Sequence, residues 1–181
     1  MTAWGHDWVR LAEPTRITRP DPSLPRARSL TRRDRVRDME LGAGTVRAVV
    51  HDRTERRVHI TVPTWDDAQL TAARAALAAS AAPVTGDDLP DAVHAALRSA
   101  GLPLAPDPAT LGTGCDCARP RGRPDGRCVH LLASYFEVAR RLDERPRLAL
   151  LLRGLAEAPA AGTARIPLGL IDPGNFYGPG N

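Results

Sequence analysis

Gly114-Cys115-Asp116-Cys117 and, after a ten-residue interval, Cys128-Val129-His130 decide how this chain is read. Together they spell C-x-C-x10-C-x-H and contain all three cysteines of the 181-residue sequence. Three thiols and an imidazole are the donor set of a structural Cys₃His zinc site, in which four protein ligands close a tetrahedron. Each short pair brings two donors to one side of an ion, and the loop between the pairs closes the cage. Cys-x-Cys by itself would also suit a redox pair, with Arg119 and Arg127 lowering the thiol pKa values. The second pair at zinc-ligand spacing favours one structural Zn²⁺ on Cys115, Cys117, Cys128 and His130.

The same residues carry a resemblance. C-x-C…C-x-H running directly into a helix is similar to the SWIM zinc finger, a family named for Swi/Snf-type ATPases and plant Mu-type transposases. Leu131-Leu132-Ala133-Ser134-Tyr135-Phe136 stands where bacterial members carry an apolar helix. Asp143-Glu144-Arg145-Pro146 and Leu150-Leu151-Leu152-Arg153-Gly154 resemble their second helix and its Leu-Arg-Gly end. Upstream, Arg35–Leu41, Gly44–Val50 and Val58–Val62 resemble the small β region that precedes the finger, so the likeness covers roughly residues 30–155. One departure is plain: residues 118–127 are rich in Arg, Pro and Gly where the family carries an aromatic. The resemblance implies a ββα-like finger, and association with a Swi/Snf-type helicase as partner.

Composition sets outer bounds. Hydrophobic residues make up 43% of the chain but aromatics only 4%, so the expected core is alanine-rich, helix-rich and thin, and a metal would add to its stability. All 25 basic residues are arginine, which favours planar, bidentate contacts to phosphate and carboxylate. Three thiolates and one Zn²⁺ would bring the formal charge from +4 to +3, a mild excess that permits nucleic acid binding without requiring it. No signal-like or membrane-spanning run stands out, and the expected location is cytoplasmic, with no membrane partner. An odd number of cysteines argues against a disulfide framework.

Taken in order, the chain reads as an α+β protein: a small antiparallel β meander with helices, then the finger and a C-terminal helix. Residues 1–25 form an irregular, Pro-rich arm in which Trp4 and Trp8 would share a helical face, either plugged onto the domain or free to dock a partner. Residues 26–110 are an α+β region. It opens on six arginines and one acid between positions 26 and 37; Arg32, Arg33 and Arg35 are candidate phosphate contacts there. Residues 36–62 alternate as three strands, with Arg47, Arg57 and His59 outward and Asp38 and Glu40 in reach of Arg47. Thr64 is the expected cap of one helix and Asp88 of the next, whose stripe is Val93, Ala96, Leu97 and Ala100 with His94 beside it. Residues 111–157 hold the finger and its helices, with Glu137, Arg140, Arg141 and Glu144 on the polar side of the first. Residues 158–181 form a flexible tail, with Phe176 and Tyr177 as a second candidate docking pair.

No lysine means no Walker lysine, and no Gly-x-Ser-x-Gly occurs. With four protein ligands on the metal, the expectation is a protein that is not an enzyme and has no small-molecule substrate. Two function classes remain. One is a nucleic-acid-binding accessory protein, DNA favoured over RNA, using Arg119, Arg121, Arg123 and Arg127 on the interligand loop together with the residue 26–37 run. The other is a protein–protein adaptor with a structural zinc and no nucleic acid contact.

Overall fold

The computed structural model describes residues 2–13, 21–79, 89–117 and 127–155. These form helices α1 (Ala3–Ala12) and α2 (Leu24–Arg32), strands β1 (Val36–Gly42), β2 (Thr45–His51) and β3 (Glu55–Thr61), and helices α3 (Asp67–Ala78) and α4 (Asp91–Ser99). A 3₁₀ turn (Pro108–Thr110) then leads into β4 (Gly112–Cys115), followed by α5 (Val129–Glu144) and α6 (Arg147–Leu152). The strands make one antiparallel sheet in the order β1-β2-β3-β4. The fold is α+β, as the sequence implies, with a fourth strand that its pattern does not announce.

Period-two alternation drives the meander: Val46, Ala48, Val50, Val58 and Ile60 are buried, while Arg47, Arg57 and His59 are exposed. β1 breaks the period. Val36 and Met39 both face inward, three residues apart, because the register shifts between Arg37 and Glu40. Asp38 takes a left-handed conformation there, with φ of +47°. Glu40 lies opposite Arg47 as expected. The bulge removes Asp38 from that register, and no ion pair joins either acid to Arg47 among the described residues.

α5 lies at the centre, with ten of its sixteen residues buried. The inner face of the sheet covers one side of it, and α1 and α2 pack along the others. Such wide burial takes in a residue that the helical pattern assigns to solvent. Glu137 is 2% exposed, and its carboxylate accepts hydrogen bonds from Arg140 (2.6 and 3.0 Å) and Arg141 (3.2 Å). Pairing with two guanidiniums is what makes this burial tolerable. Arg141 also donates to the Met39 carbonyl at the bulge, at 3.4 Å.

The N-terminal arm is corrected by the structure. Residues 3–12 are helical, and Trp4 and Trp8 are 1% and 0% exposed. Trp8 meets the Tyr135 ring at 6.2 Å and Trp4 stands edge-on to His94 at 5.2 Å, so both are core residues with no surface left for docking a partner. α1 runs against α5 so closely that Asp143, near the end of α5, accepts from the Thr2 backbone N–H (2.7 Å) and hydroxyl (2.6 Å). His94 joins the same seam through Asp7, Nε2 to Oδ2 at 2.9 Å; it is a satisfied core histidine. Other local expectations shift in detail. Asp66, not Thr64, caps α3, in a reciprocal box with Gln69. Pro90 occupies the cap of α4, and the Ala96 and Ala100 positions of its stripe are exposed. Phe176 and Tyr177 lie outside the described residues.

Leu152-Arg153-Gly154 forms a clasp. The carbonyls of Leu152 and Arg153 accept from Gly44 N–H (3.0 Å) and Trp65 N–H (2.8 Å). The Arg153 guanidinium reaches the Pro63 carbonyl at 2.5 Å and lies over the Trp65 ring at 5.5 Å. Gly154, at φ of +88°, turns the chain where a side chain would press on Thr64.

A methyl group at Gly5 would sit 2.6 Å from the Ala139 carbonyl, which cannot move without moving α5. Gly5→Ala is therefore expected to destabilise the fold by about 2 kcal/mol, or roughly 6 °C in Tm, in a thermal melt. Removing residues 1–12 takes both indoles from the core and is expected to abolish the cooperative transition.

Candidate metal centre

Strand geometry presents the first donor pair. Cys115 stands opposite Val58 at the end of β4, on the face of the sheet turned towards the core. The ladder continues one step beyond the strand: Asp116 N–H donates to the Arg57 carbonyl (3.2 Å) and Arg57 N–H donates to Asp116 Oδ1 (3.1 Å). Asp116, the spacer of Cys-x-Cys, thus anchors the pair to β3. Helix geometry presents the second pair. Cys128 is the N-cap of α5, and its sulfur accepts the Leu131 N–H at 3.4 Å, the part a serine oxygen commonly plays. His130 follows in the first turn.

The four donor atoms of Cys115, Cys117, Cys128 and His130 all lie within 4.8 Å of one another. Cys115 Sγ and His130 Nδ1 are 3.8 Å apart. Four donors on one zinc, at Zn–S of about 2.3 Å and Zn–N of about 2.0 Å, stand roughly 3.5–3.8 Å apart, so the cluster is of zinc size. Cys128 and His130 are buried and the other two half-buried, which shields the ligands from bulk water. The residues present fit one structural Zn²⁺.

Electrostatics separate the thiols. Cys128 is pushed down to about 3, first by the hydrogen bond from the Cys115 thiol, with help from His130 and the Leu131 N–H. Cys115 is pushed up as the partner in that hydrogen bond and by burial; burial also raises Cys117. Negative charge in the metal-free cluster is thus favoured at Cys128, at the N-terminus of α5 where the helix dipole stabilises it.

The arginine candidates divide. Arg127 Nη1 donates to the carbonyl of Leu11 at 2.8 Å and lies 3.4 Å from that of Ala12, closing the C-terminal end of α1. That corrects its assignment as a phosphate contact: the group is engaged within the fold. Arg119, Arg121 and Arg123 lie outside the described residues. In the 26–37 run, Arg26 pairs with Asp52 and Arg28 with Glu13. Arg32, Arg33 and Arg35 are exposed, and no carboxylate pairs with them among the described residues. Arg33 and Arg35 line a cleft of about 230 Å³ with Arg26, Ser29, His51 and Asp52. Sequence reasoning missed Asp52, which stands 3.5 Å from His130 Nε2; only the fold brings it there.

Among the described residues no helix is long and apolar enough to cross a membrane. No protein-family model matches the chain. No solved structure matches it either. The chain is 30% identical over 158 residues to the uncharacterized protein Rv2102 of Mycobacterium tuberculosis, a match covering 78% of this chain and 55% of that protein. It thus spans about half the length of that relative.

Zinc uptake has to displace thiol protons, those of the raised Cys115 and Cys117 first, so affinity should rise with pH. Competition with a chromophoric chelator between about pH 6 and pH 8 checks this, and a pH-independent affinity would contradict it.

Proposed function

We propose that the protein is a non-enzymatic adaptor, held in shape by one structural Zn²⁺, that docks a protein partner through the outer face of its sheet. Four protein donors leave a tetrahedral zinc no open position for substrate, which supports a structural over a catalytic metal. The observation that carries the docking reading is the chemistry of the outer face. Asp38, Glu40 and Asp116 alternate there with Arg47, Arg57 and His59 around a depression of about 720 Å³, next to the metal cluster at Cys115. Interspersed charges of both signs suit a complementary protein surface, where they select register and partner. They suit a uniformly anionic phosphodiester chain poorly. The SWIM resemblance names the partner to try first, a Swi/Snf-type helicase.

Nucleic acid contact is the second reading, and the exposed Arg32, Arg33 and Arg35, which pair with no carboxylate among the described residues, favour it. On this reading those residues, with the loop arginines Arg119, Arg121 and Arg123, contact DNA phosphates without reading sequence.

The two readings separate in one set of measurements on zinc-loaded protein. Docking predicts that Arg47→Glu with Arg57→Glu abolishes capture of a partner at unchanged zinc content, and that duplex and single-stranded DNA are not bound at low salt. DNA binding whose dependence on log salt flattens by about two to three units in the Arg32, Arg33 and Arg35 triple alanine variant would instead establish the phosphate-contact reading.

A further inference from the structure

The four donors do not complete the cluster's surroundings. On the far side of the His130 ring from Cys115, Asp52 Oδ2 lies 3.5 Å from Nε2, an ion-pair contact somewhat longer than a hydrogen bond. The other ring nitrogen, Nδ1, faces Cys115 Sγ at 3.8 Å. An imidazole that offers Nδ1 to a metal carries its proton on Nε2, and a carboxylate facing that N–H fixes both the tautomer and the tilt of the ring.

We propose that Asp52 is a positioning residue of the zinc centre, orienting His130 through Nε2–H while Nδ1 serves the metal; this rests on the zinc reading above. The carboxylate is itself held in place. Arg26 Nη2 contacts both of its oxygens, at 2.8 and 2.5 Å, and the Asp52 backbone N–H donates to the Thr54 carbonyl at 3.3 Å within the β2–β3 turn. Its side chain is 19% exposed, so little water competes for it. A relay thus runs from α2 through the β2–β3 turn to the first turn of α5. The metal centre thereby draws on two elements that contribute no ligand.

A plain structural role for Asp52, as a clamp for α2 alone, is the competing explanation, and four full-length chains distinguish them: wild type, Asp52→Ala, Asp52→Asn and Arg26→Ala. Two quantities are read on each: zinc affinity by chelator competition, and the ¹⁵N shifts of the His130 ring in the zinc-loaded protein. The expected result is a loss of about 10–100-fold in zinc affinity for Asp52→Ala, with displaced His130 ring shifts. Asp52→Asn, which keeps an acceptor oxygen, is expected to retain the Nε2–H tautomer and lose less. Arg26→Ala loosens the carboxylate but leaves it facing His130, so its loss of zinc affinity should be clearly smaller than that of Asp52→Ala even if it melts lower. Should Asp52→Ala not fold, Asp52→Asn decides by affinity: zinc binding weaker than wild type with the Nε2–H tautomer kept supports the proposal, and wild-type affinity overturns it. Wild-type affinity and ring shifts in Asp52→Ala, or an Arg26→Ala variant matching Asp52→Ala in both readouts, also overturn it. A wild-type chain that takes up no zinc overturns the zinc reading itself and the proposal with it.

Discussion

A strand edge and a helix N-terminus have no common hydrogen-bond ladder, yet in this protein they meet at one point, through sulfur and imidazole. β4 ends on Cys115, with Cys117 two residues beyond, and α5 starts on Cys128 and His130; the four donor atoms fall within 4.8 Å of one another. Left without a metal, the contact rests on three sulfurs and an imidazole. A divalent ion turns the same contact into the strongest local restraint available to the chain. The junction ties the end of β4 to the start of α5.

What surrounds α5 explains how a chain with so few aromatics closes a core. The helix is enveloped, and the polar groups carried inside with it are matched individually. Glu137 has two arginines, Asp143 receives the start of α1, and the Ser134 hydroxyl returns to the His130 carbonyl at 3.0 Å. Arginine suits this work, since one planar fork can serve a carboxylate and a carbonyl together, as Arg141 does for Glu137 and Met39. An all-arginine basic set therefore has structural uses in this fold: Arg26, Arg127, Arg141 and Arg153 each join two elements.

The meander and the metal ligands can be read in the sequence because each depends on short-range spacing: alternation by two for Val46–Val50 and Val58–Ile60, and x-separated pairs for the ligands. Features set by tertiary context cannot be read that way. The bulge at Asp38 has no residue that demands it; aspartate simply tolerates the left-handed region better than most. Gly112-Thr113-Gly114-Cys115 has no apolar alternation to mark it as a strand, and it pairs only because β3 offers an open edge. Trp4 and Trp8 share a face, but whether that face meets solvent or α5 is decided by residues more than a hundred positions away. Asp52 is an ordinary turn residue by every local criterion; its place beside His130 exists only once β3, β4 and α5 are assembled.

Both ligand pairs are anchored independently, Cys115 and Cys117 to β3 through Asp116 and Cys128 to its own helix, so the length of the chain ahead of Arg127 does not set the ligand geometry. The cluster behaves as a cross-link closing a short ring of chain. The entropy of closing such a ring grows only logarithmically with length, about 0.6 kcal/mol for each doubling. The interval between the pairs is thus open to insertion at small thermodynamic penalty. In evolutionary terms the scaffold offers a site where length can diverge while Arg127 and the junction on either side stay fixed.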